Sequence, residues 1–323
     1  MVMRRYRFWL ALLMGLGDPR GLMAAPVFLD PSLDPDFSPP LPAAQPQVSF
    51  SLESAGERSN SEAWQRILAT YRYDNSWFLT TGYEWYQTWG SDPTQITLVP
   101  LRLGTRFQLS PVAGSVALGV DLNSQQQFPL HVDVQATVPL APRLAPELIL
   151  TCQSYRGRAT SLVEGVYACR PGVNLFYRFS EQWQTFWGYR VGLYSDGNRE
   201  QQLIGNLSYR PSPYLALGIN LFNWSYGQEQ PSYFSPPDFL VLSGEAQLTA
   251  VLSSDLRCRL GITLGQQRLK SVWSGANTYQ GECQWQVQER LRLNSQLRFS
   301  NVLSQPGEAY NSAAWSLGFQ WQY

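Results

Sequence analysis

The sequence predicts an all-β protein: an antiparallel transmembrane β-barrel of about sixteen strands over residues 47–323. Three observations predict it. Charged residues are only 15% of the chain while aromatics reach 14%, against roughly 25% charged in an ordinary soluble domain. Apolar and polar residues alternate over segments of about ten residues, so each segment has one face for lipid and one for a wet interior. Tight turns alternate with longer connections, as in barrels whose two ends meet different compartments.

Composition also excludes other classes. A hydrophobic content of 44% excludes a disordered chain. The 24 Lys+Arg balance the 24 Asp+Glu, which argues against a nucleic-acid partner. No run of about 20 apolar residues follows the N-terminus, which argues against helical spans. Lys270 is the only lysine; every other basic side chain is arginine.

Taken in order, residues 1–25 read as a signal peptide. Arg4, Arg5 and Arg7 form a basic start, Phe8 to Leu16 a short apolar core, and Ala24 and Ala25 a small-residue end. Residues 26–46 hold seven prolines and read as an extended periplasmic linker. Strands then follow near 48–55, 62–73, 76–90, 94–109, 112–123, 128–139, 143–155, 160–179, 182–195, 199–210, 213–226, 238–251, 254–266, 276–288, 290–301 and 309–323. Leu291 to Phe299 shows the rule: Leu291, Leu293, Leu297 and Phe299 face one way, Arg292, Asn294, Gln296 and Arg298 the other. Tight turns are expected at Asp74-Asn75, Ser110-Pro111, Ser180-Glu181, Ser253 and Glu289. Longer connections are expected at Ser54–Ser61, Gly227–Pro237, Gln266–Gly275 and Val302–Glu308. Outward aromatics gather at the tight-turn end: Tyr71, Tyr73, Trp77, Phe107, Tyr177, Phe179, Trp183, Tyr209 and Trp321. Such rings suit a membrane–water interface.

The chain ends inside a strand, with Trp315, Leu317, Phe319, Trp321 and Tyr323 at alternate positions. This resembles the terminal signature of bacterial outer-membrane barrels. The resemblance implies outer-membrane lipid and the barrel assembly machinery as partners, with Trp321 and Tyr323 as the assembly signal.

Little in the sequence carries catalysis. His131, the single histidine, shares a strand face with Asp133, but no nucleophile motif accompanies the pair, and a lumen-facing polar pair explains it. No metal-ligand spacing or phosphate loop is present, so neither metal nor cofactor is expected, and the protein reads as a non-enzyme. The inward register is rich in charge: Arg102, Arg106, Arg190, Glu245, Arg257, Arg259, Glu282, Arg292 and Arg298, with the aromatics Phe222 and Trp224. These residues either neutralise one another in a wet interior or line a conduit whose Arg, Gln and aromatic groups meet sugars. Both readings stay open here. Inward glycines such as Gly82, Gly104, Gly119 and Gly261 argue for an interior that is not fully packed.

The run Tyr233-Phe234-Ser235-Pro236, followed by Phe239 and Gly244, resembles the Y-[YF]-S-P signature of the C-terminal barrel of the cellulose synthase outer-membrane subunit. Pro231-Ser232 stands where that family tends to have glycines, and residues 1–46 show no 34-residue helical period. The resemblance implies a sixteen-stranded exopolysaccharide secretion channel, with a polysaccharide and its periplasmic export components as partners. The expectation is therefore a passive conduit for polysaccharide or other carbohydrate. The alternatives are a general small-solute porin and a plugged structural or adhesive barrel. Tyr233 and Phe234 are expected to fold over the mouth and stack on sugar rings.

Cys152 and Cys169 are symmetric about a point near the connection between strands seven and eight. Cys258 and Cys283 are symmetric about 270.5. All four fall in the outward register, so each pair is expected to lie side by side, as disulfides or as separate thiols.

Overall fold

The computed structural model describes residues 47–57, 62–73, 76–89, 93–302 and 312–322. The signal peptide, the proline-rich segment and Tyr323 lie outside the described residues. Sixteen strands make one closed antiparallel barrel. They are β1 Gln47–Glu57, β2 Glu62–Arg72, β3 Trp77–Thr88, β4 Gln95–Leu109, β5 Val112–Asn123, β6 Leu130–Thr137, β7 Leu144–Ser154 and β8 Tyr167–Arg178. They continue with β9 Trp183–Tyr194, β10 Arg199–Ser212, β11 Leu215–Tyr226, β12 Phe239–Val251, β13 Leu256–Leu269, β14 Val272–Gln288, β15 Leu291–Ser300 and β16 Ser312–Gln322. Each strand pairs with its sequence neighbours, and β16 closes on β1 with Trp321 opposite Val48. Closure leaves no sheet edge with unpaired backbone groups.

Alternation decides which side chains meet which solvent. Leu148, Ile219 and Leu260 are 59%, 65% and 60% exposed on the outer surface. Their strand neighbours Glu147, Gly218 and Arg259 face the lumen. A continuous belt of exposed leucine and isoleucine is unstable in water and is covered by lipid acyl chains. Tyr71, Tyr73, Trp77, Phe179, Trp183 and Trp321 are exposed toward the end that carries the short turns and both barrel termini. We call this the turn end, and the opposite end the loop end. The aromatics are not confined to it: Tyr83, Tyr189, Tyr279 and Trp315 are exposed farther along the wall.

Three expected boundaries are corrected. Residues 160–166 are not strand: the β7–β8 connection holds a short helix, α1 (Ala159–Val163). Leu162 and Val163 are adjacent apolar residues, which a two-faced strand cannot place on one side. The Gln266–Gly275 loop is instead strand on both sides of a two-residue turn, Lys270-Ser271, whose φ values of 48° and 70° suit a tight hairpin. Its polar residues resemble a loop, yet inward Gln267 donates to the Gly275 and Asn301 carbonyls at 2.9 and 3.1 Å. The Ser54–Ser61 loop is also shorter than expected, since β1 runs on to Glu57.

The hairpin register explains the cysteine symmetry. Cys152 lies opposite Cys169 and Cys258 opposite Cys283, with Cα atoms 4.0 and 4.1 Å apart, and each pair is joined as a disulfide. The point 270.5 is the centre of the Lys270-Ser271 turn.

Candidate functional site

The lumen has two unlike halves. The loop-end half is filled by two connections that fold inward. One is the β7–β8 connection with α1. The other is the β11–β12 connection, residues 227–238, which holds the Tyr233-Phe234-Ser235-Pro236 run.

The β7–β8 connection is anchored by Arg156. Its Nε donates to Glu84 on β3 at 2.9 Å, its Nη2 to Asp121 on β5 at 2.7 Å and its Nη1 to Gln153 at 2.5 Å. Tyr86 donates to the same Glu84 carboxylate at 2.8 Å. Arg102 on β4 lies 3.6 Å from Asp121 and 3.9 Å from Glu84. Both carboxylates are almost wholly buried, a state that requires such pairing. Burial opposes the Arg156 charge, but Glu84, Tyr86 and Asp121 together outweigh it and hold the guanidinium above its ordinary value. Behind this latch, Ala159 and Leu162 of α1 pack with Tyr86, Ile96 and Leu98.

The β11–β12 connection is anchored by Tyr233, which is 1% exposed. Its hydroxyl donates to Asp196 at 2.8 Å and accepts from Asn198 at 3.0 Å. Burial, and then the acceptor Asp196, push the phenol above its usual value, so it stays a donor at ordinary pH. Its ring stacks on Tyr194 at 5.2 Å and 6°. Phe234 sits against Trp224 and Phe239, at 5.5 Å from each. Lys270 adds an exposed pair to Glu229. The two connections also hold each other. Thr160 donates to the Ser232 carbonyl at 2.9 Å, Arg158 to the Pro231 carbonyl at 3.3 Å, and the Tyr155 ring lies 5.0 Å from Tyr233.

A second ionic centre supports them from the wall. Glu200 accepts from Arg170 Nε and Trp224 Nε1, both at 2.9 Å, and from the Tyr194 hydroxyl. Arg170 also lies over the Tyr155 ring at 5.1 Å. Arg156 and Arg170 thus each meet a buried carboxylate through direct hydrogen bonds.

The turn-end half is different. Its inward face mixes Arg, Gln, Asn, Ser and Gly with a few apolar side chains, and it holds a cavity of about 490 Å³ lined by Phe176, Phe186, Asn206, Glu245, Arg259 and Gln280 among others. A second cavity of about 580 Å³ adjoins it, lined by Arg210, Gln247, Arg257 and Arg259.

The predicted lumen residues all fall on the inward register, in different settings. Arg102 belongs to the Arg156 latch. Phe222 and Trp224 are buried against the plug and present no face to a solute. Glu245 accepts from Asn220 at 2.9 Å, and Arg292 donates to Gln286 at 3.1 Å. Arg259 stands opposite Glu282, Arg257 opposite Gln284, Arg298 opposite Gln280 and Arg190 opposite Gln202. Arg106 is exposed near the turn end. Tyr233 and Phe234 are core residues of the plug, not free stacking platforms. His131 is buried, and the Asp133 carboxylate accepts from Thr151 at 3.2 Å. The expected role of glycine as open space is also corrected: a Cβ on Gly104 would meet the Phe78 ring at 2.1 Å, and one on Gly261 the Gln280 side chain at 2.8 Å. Sequence reasoning missed Arg156, Asp196 and Asn198, which lie in connections. The RGR run beside Leu162-Val163 was the available signal.

No protein-family model matches the chain. No curated protein matches it. Among solved structures it is similar to one described as a bacterial polysaccharide outer membrane secretin, with a TM-score of 0.69, 11% identity, and coverage of 88% of this chain and 99% of that one. It is also similar to CdiB from Acinetobacter baumannii (TM-score 0.49, 7% identity, 86% and 60% covered) and to the CymD monoaromatic hydrocarbon channel (0.45, 10%, 93% and 95%). At such identities, the first likeness shows a shared barrel fold.

Proposed function

We propose that the protein is an outer-membrane conduit for polysaccharide or other carbohydrate, shut in this state by the two-loop plug. The turn end and both barrel termini face the periplasm in this reading. One observation carries it: the wall itself leaves a cavity of mixed polar and apolar lining on the turn side, and closure comes from connections folded in from the loop side. Connections can move while a closed wall cannot, so the shut state has a route to opening. The Y-[YF]-S-P resemblance and the fold shared with the secretin support carbohydrate as the cargo. We propose no catalytic role.

The buried pairs of Arg156 with Glu84 and Asp121, and of Arg170 with Glu200, also favour a second reading, a permanently plugged structural barrel. Planar-bilayer conductance separates the two. The intact protein should conduct weakly, and deletion of Tyr233 to Pro237 should raise the current. Soluble glucan oligosaccharides should then block it more than size-matched uncharged polymers do. A high current in the intact protein that ignores sugars would favour a general porin, and no current in either form would favour the plug.

A further inference from the structure

The inward charges are sorted along the barrel axis. Within the first four residues of each strand counted from the turn end, the inward charged side chains are Arg72, Arg106, Arg178, Arg210, Arg257, Arg259 and Arg292, against Glu147 alone. Glu282 stands level with Arg259, and the other inward carboxylates on the wall, Glu53, Glu84, Asp121, Asp133, Glu200 and Glu245, stand deeper. Turn residues Glu181, Asp255 and Glu289 are offset in part by Arg143 and Arg290. A chain of zero net charge thus presents a cationic vestibule at one end of its lumen.

The seven arginines come from six strands, so no single ion-pair network needs them all. Arg259 faces Glu282, and Arg72 donates to Gln47 at 3.2 Å; neither arrangement removes the excess. Both turn-end cavities touch the ring: Arg143, Arg178, Arg210 and Arg259 line the first, and Arg210, Arg257 and Arg259 the second. Low-dielectric walls focus such a field along the lumen. A guanidinium fork matches carboxylate and sulfate oxygens in a bidentate manner, and interleaved Gln184 and Gln247 can bond hydroxyls. A neutral glucan needs no such ring.

We infer that the vestibule takes an anionic glycan, its carboxylate or sulfate groups held by Arg178, Arg210 and Arg257. The inference rests on the conduit reading and names its substrate class. The test is a binding titration on the full chain folded in detergent. Its probes are a hexauronate, a sulfated glucan hexamer, a neutral glucan hexamer and monomeric glucuronate. At low salt the hexauronate or the sulfated hexamer should bind about tenfold more tightly than the neutral hexamer, as several solvent-exposed ion pairs provide. The preference should fade at about 0.5 M salt, where the screening length falls to a few ångströms. Arg178→Gln/Arg210→Gln/Arg257→Gln should abolish it, and the matching triple lysine variant should keep it, which separates charge from misfolding. Whether carboxylate or sulfate is preferred follows from the two charged hexamers. Equal binding of the neutral hexamer, a preference that survives the glutamine variant, or a monomer binding as tightly as the hexamer would overturn the inference. Current through the loop-deleted protein separates it from the conduit reading. A cation-selective current would overturn the anionic substrate while leaving a conduit. A silent pore would overturn the conduit while the titration still decides what the vestibule binds.

Discussion

The two halves of the lumen use the same residue types in opposite ways. In the loop-end half, arginines are buried against named carboxylates: Arg156 on Glu84 and Asp121, Arg170 on Glu200. Aromatic rings from two connections fill the space around them. In the turn-end half, arginines outnumber carboxylates, Arg106 and Arg178 are solvent-exposed, and cavities remain. Inward charge alone does not say whether a lumen is open. The deciding quantity is the number of partners that reach each charge from outside the wall. The connections at the loop end supply such partners to Glu84 and Asp121 through Arg156, so closure is a property of loops laid over the wall.

The most damaging way to break this contrast is Arg156→Ala. It leaves Glu84 buried with the Tyr86 hydroxyl at 2.8 Å and Arg102 at 3.9 Å, and Asp121 buried with Arg102 at 3.6 Å. Removing one partner of a buried pair costs about 3 kcal/mol or more, which shifts a closed–open balance by roughly a hundredfold. Bilayer recordings should show frequent openings, while gel mobility of the unheated protein should still report a folded barrel. A shut pore in this variant would mean that the apolar packing of α1 alone holds the connection in place.

A smaller effect is expected from Tyr233→Phe. The ring stays in its stack with Tyr194, but the hydroxyl between Asn198 and Asp196 is lost. Loss of a buried hydrogen-bonding group costs about 1–2 kcal/mol, so openings should become roughly tenfold more frequent. On the other side of the comparison, Gln184→Ala or Gln247→Ala in the turn-end half should leave closure unchanged, since neither touches the plug. Openings in those variants would show that the halves are coupled.

The contrast was only partly legible in the sequence. Sixteen strands and their inward faces follow from period-two alternation, because lipid on one side and water on the other constrain every wall residue. Glu84 and Asp121 were therefore readable as inward charges. Their shared partner was not, because Arg156 is 72 and 35 residues away from them and lies in a connection that no periodicity governs. The same limit hid Asp196 and Asn198. Strand eight was expected to begin at 160 and so ran backward over α1, and the polar Gln266–Gly275 stretch read as loop although it is hairpin. Tyr233 and Phe234 were found from a motif, yet the motif did not tell whether they face a sugar or a core.

The smallest expected effect also compares the halves, through the two disulfides. Cys152–Cys169 joins the last residues of β7 to the first of β8, at the base of the plug connection. Cys258–Cys283 lies near the turn end of the barrel, away from the Lys270-Ser271 turn of its own hairpin and from the plug. A cross-link stabilises chiefly by limiting the open or unfolded ensemble, so the first should restrict how far the β7–β8 connection can swing out. Cys152→Ser/Cys169→Ser should therefore lengthen openings in an Arg156→Ala background by a few-fold at most, since the wall hydrogen bonds remain. Cys258→Ser/Cys283→Ser should leave them unchanged. Thiol labelling of the denatured, unreduced protein checks the premise: no reactive thiol is expected before reduction and four after it. Four thiols without reductant would remove the basis for any difference between the pairs. Equal lengthening by both substitutions would show that the cross-links act on the barrel as a whole and not on its plug.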